Sequence, residues 1–141
     1  MARVRSLVLP AALALFAGFG PSACADDPDI APGLEWEPCD HGRSYVDGVC
    51  DGPAALETWT EASNVCASMI AEETGSRWRL PTPDELSALI LAHPEFDPAR
   101  RWSNARSDDP EKKGHPIAID HGGYPQDQDP GKKVRFRCVK D

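Results

Sequence analysis

The feature that most constrains the fold is an even set of cysteines in a chain that begins with an export signal. The set comprises Cys39, Cys50, Cys66 and Cys138, and a fifth cysteine, Cys24, lies at the end of the signal. Disulfides form and persist outside the reducing cytoplasm, and four cysteines can close two bridges. We therefore expect a small domain held together by two disulfides.

The amino-terminal segment has the three parts of a signal peptide. Arg3 and Arg5 precede an apolar stretch at residues 7–19, and small residues follow at 21–25. The apolar stretch has 13 residues, whereas a helix that crosses a bilayer needs about 20. We expect residues 1–23 to be removed, so that the mature protein works outside the cytoplasm.

Two modes of cleavage fit this segment. Ser22-Ala23-Cys24 resembles the end of a bacterial lipobox, which would attach lipid to Cys24 and place the protein at the outer membrane or the cell surface. Ala23-Cys24-Ala25 also fits an ordinary cleavage site, because Pro21 stands where a lipobox normally has an aliphatic residue. In that case the protein would be periplasmic or secreted, and the same four cysteines would remain.

The mature chain is acidic. Loss of Arg3 and Arg5 reduces the 15 basic residues to 13, against 23 acidic ones, which argues against nucleic acid as a partner. Residues 24–33 are rich in Asp, Pro and Gly, and we expect a flexible tether. Residues 34–141 are enough for one domain with a compact core.

The first local signal is a hairpin. Asp47-Gly48 lies between short apolar pieces and favours a tight turn. Cys39 and Cys50 flank this turn, so their closeness predicts a local disulfide. Closing so short a loop stabilises a fold by about 3 kcal/mol on the chain-entropy model.

Two helices are indicated by capping residues. Thr58 and Glu61 form one capping box, and the helix that follows is expected to end at Gly75. Its expected inward face is Trp59, Ala62, Cys66, Met69 and Ile70. Thr82 and Glu85 form a second box, with Pro83 at the first helical position, His93-Pro94 at the end, and a buried stripe of Leu86, Leu89 and Ile90.

The last third of the chain has weaker signals. We expect irregular structure from Phe96 to Pro116, a short strand at 117–119 and a final strand at 134–139. Alternation in the final strand places Val134, Phe136 and Cys138 on the core face and Lys133, Arg135 and Arg137 in solvent. Cys138 then faces the core that Cys66 enters, and a bridge between them would contribute about 4 kcal/mol.

Several strings resemble one known family. They are TWTEA at 58–62 followed by Cys66, WRLPTPDEL at 78–86, WS at 102–103 and VRFRCVK at 134–140. In these the chain resembles the C-terminal domain of bacterial collagen-like adhesins, the Lcl C-terminal family, over residues 46–140. The resemblance implies an α+β, C-type-lectin-like fold with two helices packed on small antiparallel sheets. It names no activity, because the family is largely of unknown function, and it implies an architecture related to the formylglycine-generating enzymes.

The sequence gives less support to catalysis or metal binding. An oxygenase like those enzymes would need a reactive cysteine pair, and the expected disulfides leave none, so we expect no catalysis and no cofactor. The four histidines, His41, His93, His115 and His121, lack the spacing of zinc sites. The acidic loop at 120–131 lacks the ligand spacing of a helix-loop-helix calcium site. We expect no metal site, with cation binding by that loop left open.

Basic residues gather in the second half of the chain, and Lys132, Lys133, Arg135 and Arg137 form their densest group. Clusters of Lys and Arg bind sulfated or uronic glycans through charge. The sequence predicts an exported, lipid-anchored binding or adhesion module without catalysis, with anionic polysaccharide or another envelope component as its partner. A purely structural envelope protein is the alternative, and an oxygenase is the remaining one.

Overall fold

The computed structural model describes residues 33–70 and 75–141. The elements follow one another as β1 (Glu35–Trp36), β2 (Ser44–Val46), β3 (Val49–Asp51), α1 (Trp59–Ser68), α2 (Pro83–Ala92), β4 (Arg101–Arg106), β5 (Pro116–Ile119), β6 (Pro125–Asp127) and β7 (Val139–Lys140). The described part is therefore α+β, as expected.

All strand pairs are antiparallel. β1 pairs with β7, β2 with β3, and β4, β5 and β6 form a three-stranded sheet in that order. The β2–β3 hairpin confirms the predicted turn, because Asp47 (φ 51°) and Gly48 (φ 80°) both adopt the positive φ that a two-residue turn of this kind requires. The pairing of β1 with β7 brings the two ends of the described domain together.

Helix α1 has the predicted start but a different end. Thr58 Oγ1 accepts the N–H of Glu61, and the Glu61 carboxylate accepts the N–H of Thr58, so the capping box is complete. The helix stops at Ser68 with Met69 as its cap. Ile70 is exposed and forms an isolated bridge with Arg77. The expectation that the helix runs to Gly75 with Ile70 inward was wrong.

Helix α2 begins at Pro83 and buries Leu86, Leu89 and Ile90 as predicted. Its capping box is only half formed. Thr82 accepts the N–H of Glu85, whereas the Glu85 carboxylate pairs with both terminal nitrogens of Arg79 at 3.0 and 3.1 Å. The glutamate therefore ties the start of α2 to the segment before it.

Strand β4 lies where irregular structure was expected. It pairs with β5 through Arg101–Ile119 and Trp102–Ala118, with an irregularity before Arg106. Trp102 is fully buried, and its indole N–H donates to the carbonyl of Glu57 at 2.8 Å. The strand places Arg101 and Trp102 in the interior, which matters for the site described below.

Both predicted disulfides are present, Cys39–Cys50 and Cys66–Cys138. The second joins α1 to the last segment inside a core cluster that also contains Ala62, Trp102 and Phe136. A second cluster packs α2 on β5 through Leu86, Leu89, Ile90 and Ile119. Two disulfides fit a protein that folds in an oxidising compartment.

The segment before β7 is not the alternating strand that was predicted. Only isolated bridges involve it, at Val134 and Arg135, and β7 begins at Val139. Val134, Phe136 and Cys138 are buried as expected, but Arg137 is buried as well, with 5% of its surface exposed. The expectation that Arg137 faces solvent was wrong, and the reason is the buried carboxylate of Asp40.

The predicted signal peptide at 1–23, the predicted lipid acceptor Cys24 and all of the predicted tether except Gly33 lie outside the described residues. Among the residues that the structure does describe, no helix has the length and apolar character needed to cross a membrane.

Candidate functional site

The four basic residues singled out in the sequence divide into two pairs. Lys132 and Lys133 are exposed on a turn before Val134. Arg135 is partly buried, and Arg137 is buried. The first pair remains available at the surface, whereas the second pair is engaged in the interior.

Asp40 is the centre of that interior arrangement, with 1% of its surface exposed. Arg101, also 1% exposed, donates to both of its carboxylate oxygens, from Nε to Oδ1 at 2.8 Å and from Nη2 to Oδ2 at 2.9 Å. Such a two-point pair is the strong form of this interaction. Arg101 uses its remaining donor capacity on the carbonyls of Asp97 and Ala99, so its guanidinium is fully occupied.

Two further arginines approach the same region. Arg135 Nη1 lies 3.0 Å from Asp97 Oδ2 and 3.7 Å from Asp40 Oδ2. Arg43 donates to Asp97 and to the carbonyls of Cys50 and Gly52. The side-chain bonds of Arg135 first, with the nearby charges of Arg43 and Arg101, hold the pKa of Asp97 below its usual range.

Arg137 is the one arginine of this group whose terminal nitrogens have no hydrogen-bond acceptor among residues 33–70 and 75–141. Its Nε makes a long bond of 3.4 Å to Asp40 Oδ1, and its guanidinium stacks over the ring of Phe96, 4.6 Å from the centroid. Burial lowers the pKa of Arg137, and the attraction of Asp40 opposes that effect only in part. Its guanidinium therefore keeps donor capacity that the described residues do not use.

Arg137 lines a cavity of about 490 Å³ between the β2–β3 hairpin, β1 and the end of α2. This volume is within the range of small-molecule sites, which are mostly apolar with a few placed polar groups. The apolar part of the lining consists of Leu34, Trp36, Tyr45, Val49, Leu89 and Phe96. The cavity thus combines aromatic walls with one cation that has free donors.

Two other residues of the cavity lining carry buried nitrogens without a partner among the described residues, Trp36 Nε1 and His93 Nε2. The other ring nitrogen of His93 lies 2.9 Å from Glu95 Oε1. Buried polar atoms without a hydrogen-bond partner cost free energy, and such positions in native proteins call for an explanation. Both residues line the same cavity as Arg137.

A group of metal-ligand type also lies nearby, formed by Glu37, His41 and Cys138. Cys138 is in a disulfide, which removes its thiolate. Glu37 Oε1 lies 2.7 Å from His41 Nδ1, and Oε2 accepts the backbone N–H of Cys138 at 2.7 Å. These bonds give the group a structural role, in joining β1 to the last segment.

The acidic loop at 120–131 is partly ordered into strand β6. Asp120 Oδ1 accepts the N–H groups of Gly122 and Tyr124, and Oδ2 accepts from Gln126 at 3.2 Å. The carboxylate is therefore used to build the turn between β5 and β6.

Sequence reasoning missed Asp40, Arg101, Trp36 and Phe96 as members of a common site. Asp40 is separated from Arg101 by 61 positions and from Arg137 by 97, so no local spacing connects them. The one available signal was Arg137 itself, since it lies in an apolar run with Phe136, Cys138 and Val139.

Comparison of the chain with models of known protein families and with curated proteins finds no match.

Proposed function

We propose that the chain is an exported binding module that recognises anionic polysaccharide at the bacterial envelope and performs no catalysis. The observation that carries the proposal is the cavity whose lining includes Trp36, Tyr45 and Phe96 together with Arg137, whose terminal nitrogens have no acceptor among the described residues. Aromatic side chains supply apolar contact area for a sugar ring, and a guanidinium pairs with the acidic group that such sugars carry.

The exposed pair Lys132 and Lys133 provides a second contact for a longer chain. Exposed lysines attract an anionic polymer through charge, and salt screens that attraction. The remaining predicted contacts, Arg135 and Arg137, act from within the fold rather than as parts of a surface patch. The proposed module therefore has a charged surface element and a cavity element.

The C-type-lectin-like architecture belongs to the same proposal. Its support is the resemblance of residues 46–140 to the Lcl C-terminal family, together with two helices on small antiparallel sheets and two disulfides. The oxygenase alternative needs two free thiols. The pairing of Cys39 with Cys50 and of Cys66 with Cys138 favours the binding module over it.

We further propose that lipid on Cys24 holds the module at the outer membrane or the cell surface. The lipobox-like end of the signal supports this, and an acidic tether would let the domain stand away from the membrane. Mass spectrometry of the mature amino terminus tests it. A diacylglyceryl adduct on Cys24 supports the anchor, and an unmodified start at Asp26 refutes it.

A glycan array with the processed, disulfide-bonded protein tests the function. We expect retention on uronic or sulfated glycans, little on neutral ones, and loss of retention as salt rises. If no glycan class is preferred, the proposal fails and a structural envelope protein becomes the better interpretation.

The lysine contact has a matched control within the chain. Lys132 and Lys133 form one exposed pair, and Lys112 and Lys113 form another. Charge reversal of the first pair (K132E/K133E) should shorten retention on a heparin column, whereas reversal of the second pair (K112E/K113E) should change it much less. If the two variants shortened retention equally, retention would depend on net charge alone and the contact at Lys132 and Lys133 would be refuted.

A further inference from the structure

The buried charged side chains of the domain leave hydrogen-bond donors without acceptors. Asp40, Arg101 and Arg137 are the charged residues buried among residues 33–70 and 75–141. They comprise two guanidinium groups and one carboxylate, and the partly buried Glu37 also attracts Arg137. The two terminal nitrogens of Arg137 nevertheless have no acceptor among the described residues, so a ligand oxygen that accepts from them would stabilise this region.

The donors without acceptors belong to Arg137 rather than to Arg101. Arg101 has acceptors on all three nitrogens, whereas the two terminal nitrogens of Arg137 have none in the described part of the chain. These two nitrogens point the same way in the planar group, so they can donate in parallel to both oxygens of one carboxylate. Arg137 lines the cavity, where such a ligand could reach it.

The acidic residues that line the cavity limit the negative charge of a ligand that could bind there. Glu37 is engaged by His41 and Cys138, and Asp97 by Arg43 and Arg135. Glu95 stays ionised at neutral pH, because its backbone and His93 bonds lower its pKa. These carboxylates and Glu35 line the cavity and repel a second negative charge. A phosphate dianion is therefore disfavoured relative to a carboxylate.

The dimensions and walls of the cavity indicate what carries the carboxylate. A volume of about 490 Å³ is much larger than a simple ion requires. Trp36 and Tyr45 offer apolar ring surface at the lining, whereas the ring of Phe96 is already stacked with His93 and lies under Arg137. A sugar ring or a compact apolar group can pack against these aromatic side chains, with the carboxylate of the ligand next to Arg137.

We propose that this cavity is a binding site for a singly charged organic carboxylate, held by the terminal nitrogens of Arg137 and enclosed by Trp36, Tyr45 and Phe96. This site extends the proposed function by naming a ligand class. It rests on the proposed function only for the choice of a uronic sugar as ligand. The carboxylate can equally come from a non-sugar acid, and the experiment separates the two sources.

Isothermal titration calorimetry on the processed, disulfide-bonded protein provides the test. The probes are D-glucuronate, phenylacetate, neutral D-glucose and glucose 6-phosphate. We expect binding of at least one carboxylate, with glucose and the phosphate at least about tenfold weaker, because a charged hydrogen-bonded pair would be lost or opposed. Glucuronate binding identifies a sugar acid, and phenylacetate binding alone identifies a non-sugar acid.

Two sets of variants locate the site. Arg137→Met should weaken carboxylate binding about tenfold or more, with its fold checked by thermal unfolding. Val49 is exposed at the cavity lining, so Val49→Glu tests the same site without touching the buried charges. It should weaken binding about fivefold through repulsion, whereas the neutral Val49→Gln should not.

Three results would overturn the inference: no binding of either carboxylate, equal binding of glucose, or equal affinity in V49E and V49Q. The Val49 pair decides the outcome if Arg137→Met does not fold. A negative result here together with a positive glycan array would remove the cavity site but leave the surface function. A positive result here with a negative array would remove the polysaccharide and keep the carboxylate site.

Discussion

Asp40 is the residue on which the interior depends most. Its carboxylate is buried and is shared by Arg101 and Arg137, with Arg135 close to one oxygen. Breaking a buried ion pair by removing one partner leaves the other charge without compensation, which costs more than the pair itself contributes. Asp97 also pairs with two arginines, but half of its side chain is exposed.

These two acids therefore make a matched comparison. We expect Asp40→Asn to lower the free energy of unfolding by about 3–5 kcal/mol, and Asp97→Asn to lower it by about 1 kcal/mol or less because water screens that pair. Urea denaturation with the disulfides intact measures both. Similar losses in the two variants would contradict the central role of Asp40.

Asp97 gives a prediction for pH. Its pKa is lower in the folded protein than in the unfolded chain, mainly because Arg135 bonds to it. The stabilising effect is therefore present above the unfolded pKa of about 4 and is lost as pH falls through the lower folded value. Thermal unfolding of Asp97→Asn should show a shallower loss of stability below about pH 4 than the wild type. If the wild type and Asp97→Asn lost stability equally as the pH falls below about 4, this assignment would be contradicted.

At the scale of elements, the predictable parts were those with local signals. The caps of α1 and α2 and the Asp47-Gly48 turn require only residues a few positions apart. All of them formed except the Glu85 half of the second capping box, because that carboxylate pairs with Arg79. Strand β4 carries Arg101 and Arg106 at its ends, so its sequence does not alternate like a half-buried strand. Its first arginine is buried only because Asp40 lies opposite, and that contact is not local.

The caps can be tested with a control from the same turn. Thr58→Ala and Thr82→Ala each remove a hydroxyl that accepts a backbone N–H, and each should cost about 1 kcal/mol. Thr60 is exposed within α1, and Thr60→Ala should be neutral or slightly stabilising because Ala favours helices. Chemical denaturation of the three variants would refute the assignment if Thr60→Ala were as harmful as the other two.

For the molecule as a whole, the sequence predicted the two disulfides and the α+β class but only part of the site. The cysteine pairs followed from a hairpin and two apolar faces, both of which are local patterns. The solvent face assigned to Arg135 and Arg137 followed from the same kind of pattern and was wrong for Arg137. Alternation of polar and apolar residues indicates only which side chains are polar. It does not show that a carboxylate distant in the sequence pairs with a charged side chain in the interior.

The two disulfides have different roles in this molecule, and their removal should separate stability from binding. Cys66–Cys138 joins α1 to the last segment across 72 positions, whereas Cys39–Cys50 spans 11 and holds the hairpin that lines the cavity. Because a longer closed loop restricts the unfolded chain more, C66A/C138A should lose about 4 kcal/mol and C39A/C50A about 3 kcal/mol.

C66A/C138A should lose more stability than C39A/C50A, whereas C39A/C50A should lose more affinity for the carboxylate. C39A/C50A loosens the wall that contains Tyr45 and Val49, so it should weaken binding even at temperatures where the domain remains folded. C66A/C138A leaves that wall intact, and its folded fraction should bind as the wild type does. Urea denaturation and calorimetry on the same preparations measure the two effects. Unchanged binding in C39A/C50A would show that the hairpin wall does not depend on its disulfide.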